Sequence, residues 1–526
     1  MLAIVVSRAD EASVHIGDHL LDIADWESRT DDARPDAEGG GTVYRLEPGN
    51  ETVADDATGG GSDDDDGGAD GQEPVELRAF DPLHLDLERP ADAFGDREPD
   101  LLVFVSRHSG ETGPLLTAHH TGNVGPADHG GQANRFARAC PNAHARVLGA
   151  LATHAPEGYE VGMECTHHGP SDVGAPSMFV EVGSDQKAWA DPDAARAVAR
   201  AVLELRGVSA DREPEGSGRD EEEPRADRRH LLGVGGGHYA PRFERVVRET
   251  DWAVGHVAAD WGLDAVDDRR LRPVVERLLE ESRAAYALLE GDRPAVGDAV
   301  AAAGGRVVGE TWVRETDGIP LPFVRAVEST VATVGEGLRF GEQAQEDEAT
   351  KRGGHTSVDG AVGDREFVVA ALPEDLLAEV RGIDREATRE VLTARTLAFV
   401  TDQGGTRPTG PVVLHAPSAF EAVVDGMVDV LETRYSDVTR VECDGRTSGS
   451  GAERKERIIA RETAFDPEKA RTLGVPEGPK FGRLADGTAV EVDGDRVPPE
   501  AVSTEREREF SVPKTVRRPS DTGEHS

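Results

Sequence analysis

The residues of this chain best suited to chemistry are histidines, and they recur in one setting. An apolar run, Leu101 to Ser106, leads into Arg107, His108, Ser109 and Gly110. Leu115 to Ala118 leads into His119, His120, Thr121 and Gly122, and Val161 to Thr166 leads into His167, His168, Gly169 and Pro170. Leu231 to Val234 leads into Gly235, Gly236, Gly237, His238 and Tyr239. In an open α/β sheet, ligands bind just beyond the carboxyl ends of strands. Four strand-like segments that each deliver imidazoles there predict one active-site rim, suited to acid–base work or to holding a metal that activates water.

Other residues sharpen this expectation. Glu181 interrupts the apolar strand Met178 to Val182, and a carboxylate there should be paired, hydrogen-bonded or metal-bound. Strand alternation would put Cys165 and His167 on one face, and Glu164, Thr166 and His168 on the other. His, Cys and Glu are zinc ligands, but no His-Glu-x-x-His motif is present. Backbone N–H groups in the run Gly235–Gly237 could stabilise an oxyanion or cradle a phosphate. No Lys-Ser/Thr follows it, so it is not a Walker A loop, and Ser109 lacks the nucleophile-elbow pattern of serine hydrolases.

These turns need a scaffold. The chain has 526 residues, which predicts two or three domains. A buried-type strand at residues 2–6 precedes an amphipathic helix through Ala12, Ile16, Leu20 and Ile23. Strands are expected near 75–80, 101–106, 114–119, 160–166 and 178–182, and helices near 142–155 and from Asp191-Pro192 to Gly207. Alternation of this kind predicts an α/β core with a largely parallel, helix-covered sheet. Acidic insertions are expected at about 28–75, with one strand near 43–46, and at 209–229. Segments 52–72 and 209–229 lack apolar periodicity, so both should be exposed, and deletion of 211–226 should be tolerated. Further helices are expected near 242–250 and 270–290.

Net charge is −44, from 102 acidic and 58 basic residues, and lysine occurs at only six positions. An acidic, arginine-over-lysine surface on a chain that is still 37% hydrophobic indicates adaptation to very high salt, as in halophilic archaea, rather than disorder. Such a charge does not exclude a nucleic-acid partner, because salt screens repulsion within a few Å. Three scattered cysteines, no signal-peptide pattern and no apolar run of spanning length predict a soluble cytoplasmic protein without a membrane association.

Taken together and in order, the motifs around Ser106–Ser109, Leu116–Asn123, Glu164–Pro170 and Gly235–Pro241 resemble the archaeal and plant type of D-aminoacyl-tRNA deacylase, over roughly residues 1–300. The resemblance implies hydrolysis of the ester between a D-amino acid and the terminal ribose of tRNA, and a zinc requirement. It assigns no ligands. The residues themselves suggest His119, His120, His167 and His168 for water activation, directly or through zinc, alongside His108. The metal would be held by His120, His168, Glu164 and Glu181, and the oxyanion by Gly235–Gly237 and His238. Arg107, Arg135 and Arg242 are the expected phosphate contacts with tRNA. Alternatives are a peptidyl-tRNA hydrolase-like or other metal-dependent hydrolase, and a tRNA-binding protein without activity.

The expected domains are a core over 1–305, an α+β extension over 306–440, a small module over 441–503 and a disordered tail over 504–526. Phe465–Leu484, with Gly487 and Asp493-Gly494, resembles a short segment of zinc-dependent tRNA 3′-processing endonucleases without their metal-binding motif. That module would bind tRNA or be a β-rich appendage, and removing it should raise KM for charged tRNA while sparing kcat. A monomer or small homo-oligomer is expected.

Overall fold

The computed structural model describes residues 1–47, 73–95, 98–214, 225–345, 366–443, 455–513 and 516–517, which form two compact units, 1–317 and 318–526. The expected insertion residues 52–72 and 215–224 and the tail residues 518–526 lie outside the described residues.

The first unit contains strands β1 (Leu2–Ser7), β2 (Glu27–Asp31), β3 (Gly41–Leu46), β4 (Val75–Phe80), β5 (Leu101–Arg107), β6 (Leu115–His120), β7 (Gly122–Asn123), β8 (Arg135–Phe136), β9 (Glu160–Met163) and β10 (Ser177–Gly183). Eight of them form one sheet in the order β2-β3-β4-β1-β5-β10-β6-β9. Strands β4, β1, β5 and β10 are mutually parallel, as expected, and every residue of β1 and β10 is buried. Helices cover the faces, so these strands carry apolar side chains on both sides. The sheet is less uniformly parallel than the periodicity predicts, because β6 runs antiparallel to β10 and β2–β3 is an antiparallel hairpin. Strand β2 was not expected: its residues Glu27 to Asp31 are polar and largely exposed, and pairing with β3 alone defines it.

A second sheet, with order β12-β11-β13-β14, is parallel throughout and comprises β11 (His230–Val234), β12 (Ala253–Ala258), β13 (Tyr286–Leu289) and β14 (Arg306–Val308). Four helices matter for the site: α1 (Glu11–Asp22), α2 (Pro141–His154), α3 (Gln186–Trp189) and α4 (Pro192–Leu203). Helix α1 is capped by Asp10, whose carboxylate accepts from the Ala12 and Ser13 N–H groups. Helix α4 combines an Asp191 cap with Pro192 at its first position. The helix expected over 270–290 is shorter, Asp268–Glu281, because Tyr286–Leu289 pairs as a strand.

The unit boundary also lies beyond residue 305. Strand β14 completes the second sheet, and Trp312 packs against Trp252 and Tyr286 at ring-centroid distances of 5.3 and 4.9 Å. The edges of the second acidic insertion are structural rather than solvated. Asp211 is buried and pairs with Arg283 at 3.2 Å and with Arg138, and Arg228 and Arg229 are also buried. Deleting 211–226 therefore removes a buried ion-pair partner and is not expected to be silent. Asp211→Ala should lower unfolding stability by about 0.5–1.5 kcal/mol, the net worth of the hydrogen bonds that a buried carboxylate makes to partly exposed arginines. An unchanged urea midpoint for that variant would show that the arginines find other partners.

The second unit is built from antiparallel sheets and helices. One sheet joins Leu338–Phe340, Ala398–Asp402, Arg407–Leu414, Val368–Ala370 and Val516–Arg517, and another joins Asp437–Cys443, Lys455–Phe465 and Ser503–Pro513. Two features differ from expectation. Residues 504–513, placed in a disordered tail, form most of an eleven-residue strand. Ile458, Ala460, Phe510 and Val512 share one core with Leu376, Phe399, Val412 and Met427, whereas Ala470, Val475, Leu484, Val490 and Val502 close a small core of their own.

Candidate active site

Strand β10 is the spine of the site. Glu181 faces Ser106 of β5 across the parallel pairing, and Ser106 Oγ donates to Glu181 Oε1 at 2.7 Å. Beyond Ser106, β5 delivers His108, whose Nδ1 lies 3.6 Å from Glu181 Oε2 and 3.1 Å from Glu164 Oε1. Because β6 is antiparallel, His119 stands opposite Phe179, in the middle of β10 rather than beyond its end. Its ring stacks on Phe179 at 5.1 Å, and its Nε2 is 3.7 Å from Glu181 Oε1.

After β9 ends at Met163, the chain crosses to the second sheet. Cys165 N–H donates to His238 O at 2.8 Å, and Thr166 N–H donates to Val257 O at 2.9 Å. Alternation therefore fails past Met163, and Glu164, Cys165 and His167 gather on the same side as His238. Glu164 Oε2 is 3.2 Å from His238 Nε2 and 3.9 Å from His167 Nε2, while His168 Nε2 is 3.9 Å from Glu181 Oε1. The turn that carries His168 requires Gly169, since a Cβ there would meet Gly131 N at 2.5 Å.

Two buried carboxylates are thus ringed by five imidazoles: His108, His119, His167, His168 and His238. Both Glu164 oxygens and His119 Nε2 are buried without a hydrogen-bond partner among the described residues. Burial favours the neutral form of Glu181, but His108, His119 and His168 outweigh it and hold the carboxyl well below its usual range. Burial disfavours charge on His119 and His108 too, yet the facing carboxylates raise both imidazoles above the ordinary histidine value. His167 and His168 go the other way: burial and the neighbouring imidazoles hold His167 well below its usual value and bring His168 down to about 4.

The three imidazoles of His119, His167 and His168 share one arrangement. Each Nδ1 faces a backbone carbonyl, at 3.0 Å from His120 O, 2.9 Å from Cys165 O and 2.9 Å from Gly169 O respectively. That contact fixes the tautomer and leaves Nε2 as a lone-pair donor, as in metal-ligating histidines. The three residues form one of four overlapping groups whose donor atoms lie within 4.8 Å of one another. The others are Cys165, His167 and His238; His108, Glu164 and His238; and His119, Glu164 and Glu181.

His120 is not part of this cluster. It projects from the other face of β6, with its ring 4.5 Å from His144 of α2 and 5.6 Å from His256 of β12. Thr166 joins that group through a 3.0 Å contact with His256 Nδ1. His120 is 2% exposed and, through burial first and His144 second, held well below the ordinary histidine value. It is a core residue, which removes it from the expected catalytic and metal-binding sets.

The glycine run and the arginines also depart from expectation. Gly235 N–H already donates to Ala258 O at 2.8 Å, so it is not available to an oxyanion. Arg242 is engaged by Leu289 O at 3.0 Å and by Glu310, and the Arg107 guanidinium lies 5.2 Å from the Trp189 ring centre. Arg135 is exposed. Sequence reasoning passed over Tyr239, whose hydroxyl is 2.9 Å from His108 Nε2; its place beside His238 was the available signal.

A family model described as D-aminoacyl-tRNA deacylase matches residues 95–304, which contain every residue of this cluster. A protein named D-aminoacyl-tRNA deacylase from Haloarcula marismortui is 49% identical over 97% of this chain and 100% of its own length. The chain belongs to the D-aminoacyl-tRNA deacylase family. A deacylase of the same name from Halorubrum lacusprofundi is 48% identical over 97% of each chain. A crystal structure of a conserved protein of unknown function covers 60% of this deacylase-family chain and 98% of its own, at 25% identity and a TM-score of 0.46. Among the described residues, no helix is long and apolar enough to cross a membrane.

Proposed function

We propose that this chain hydrolyses the ester bond of D-aminoacyl-tRNA, releasing the D-amino acid and free tRNA in the cytoplasm of a halophilic archaeon. The observation that carries the reading is the buried pair Glu164 and Glu181 inside a ring of imidazoles, in a chain of this family. Ester hydrolysis needs an activated water, a stabilised oxyanion and a protonated leaving group.

The donor set fits zinc: three imidazoles, His119, His167 and His168, with Nδ1 held by carbonyls and Nε2 turned to a common point. A zinc ion held there would lower the pKa of a bound water towards ~7. Glu181, steadied by Ser106 and within 3.9 Å of His119 and His168, takes the water proton. His238, oriented by Glu164 at 3.2 Å, supplies the N–H donor where the oxyanion develops. Arg135 serves the tRNA backbone, as an exposed arginine on an otherwise acidic chain.

The test compares tRNA charged with D-tyrosine, L-tyrosine and N-blocked tyrosine, in molar KCl, with and without a chelator. The D-aminoacyl ester should be cleaved in strong preference to both others, and activity should disappear with the chelator and return with zinc. Equal cleavage of L- and D-esters, or preference for the N-blocked substrate, would replace this reading with a general esterase or a peptidyl-tRNA hydrolase. Binding of tRNA without hydrolysis would leave only a binding protein.

A further inference from the structure

Tyr239 sits at the outer end of a line of polar groups that begins at the buried carboxylates. His108 Nδ1 faces Glu164 at 3.1 Å and Glu181 at 3.6 Å, and its Nε2 is 2.9 Å from the Tyr239 hydroxyl. With Nδ1 turned to the carboxylates, the ring presents Nε2 to the phenol oxygen, and an N–H there donates to it. The tyrosine O–H then points away from His108, toward Thr112 Oγ1, which accepts it at a long 3.4 Å. Tyr239 is partly exposed while Glu164 and Glu181 are buried, so the hydroxyl is the end of the chain that a bulky substrate can reach. Gly110 keeps that approach open: a Cβ there would lie 3.6 Å from the hydroxyl and 3.0 Å from His108 Nε2.

We infer that Tyr239 is a catalytic residue that donates its hydroxyl proton to the ribose oxygen leaving the scissile ester. The inference rests on the deacylase reading above. Water adds its oxygen to the acyl carbon and gives one proton to Glu181. As the tetrahedral adduct collapses, the bond between acyl carbon and ribose oxygen breaks and its electron pair stays on the ribose oxygen. The Tyr239 proton moves to that oxygen, His108 Nε2–H restores the phenol, Nε2 takes a proton back from solvent, and Glu181 releases its own to solvent. The sum is ester plus water giving acid plus alcohol, with every side chain restored.

The experiment uses the full chain in molar KCl with D-tyrosyl-tRNA. Tyr239→Phe keeps the ring and removes only the hydroxyl. It should lower kcat by roughly 10²–10⁴, the range for a positioned acid, and leave unchanged the Kd for a non-hydrolysable tRNA carrying the D-amino acid through an amide. His108→Gln added to Tyr239→Phe should cost little more, because members of one relay fail together. A wild-type kcat for Tyr239→Phe, a loss that appears only as weaker binding, or losses for the two substitutions that simply add, would each overturn the assignment. Absence of D-tyrosine release by the unaltered protein would instead overturn the deacylase reading itself.

Discussion

His168→Ala is expected to lower kcat on D-tyrosyl-tRNA by roughly 10²–10⁴, while the melting transition stays close to that of the unaltered chain. The ring lies in a turn, with Nδ1 against Gly169 O and Nε2 toward Glu181, and among the described residues its one aromatic-hydrocarbon contact is edge-on to Phe179 at 4.6 Å. His120→Ala, one strand position from His119, should behave in the opposite way. Its side chain is packed against His144 and His256 in the interior, so its loss should cost about 1–3 kcal/mol of stability and leave kcat per folded molecule nearly intact. The pair is a sharp test because the two side chains differ in face more than in chemistry. Equal losses of kcat, with equal stability, would mean that the face of β6 does not separate catalysis from packing.

Ending the chain at Ser436 should abolish cooperative folding of the second unit, where a KM effect alone would be the signature of a detachable module. The truncation removes Ile458, Phe510 and Val512, each at most 3% exposed, from a core they share with Leu376, Phe399 and Met427. At roughly 1.5–3 kcal/mol per large apolar side chain buried, three such losses amount to about 5–9 kcal/mol. That is comparable to the total stability of a typical domain, ~5–15 kcal/mol. The buried Glu379 would also lose Arg508, one of its three partners among the described residues with Arg434 and Tyr435. Hydrogen exchange over residues 366–436 is the direct measurement. Protection preserved in the truncated chain would restore the idea of a separable C-terminal module.

The sequence by itself determined most of the elements that carry the candidate site. The runs at Leu101, Leu115 and Leu231 are strands because their apolar residues need burial on both faces, and each does lead into a histidine. The cap and proline at Asp191-Pro192 start helix α4 through local backbone hydrogen bonding, which the local residues dictate. Glu181 was legible as a carboxylate that needs partners, because a charge in an apolar strand is too costly to keep uncompensated, and Ser106, His108 and His119 surround it.

Tertiary structure decided which imidazoles meet. In His119-His120, a two-residue period puts the rings on opposite faces, but only the antiparallel pairing of β6 with β10 selects His119 for Glu181. In Glu164-Cys165, strand alternation predicted a separation that ends when β9 stops at Met163 and the chain bonds to the second sheet. Tyr239 acquired its place through the bridge between Glu164 and Tyr239, a pairing between segments far apart in the chain. The same holds for β2 and for residues 504–513, whose polar strands exist through pairing with distant partners. Local sequence sets torsional preference and burial, whereas pairing register and the meeting of two sheets are long-range choices that no short window encodes.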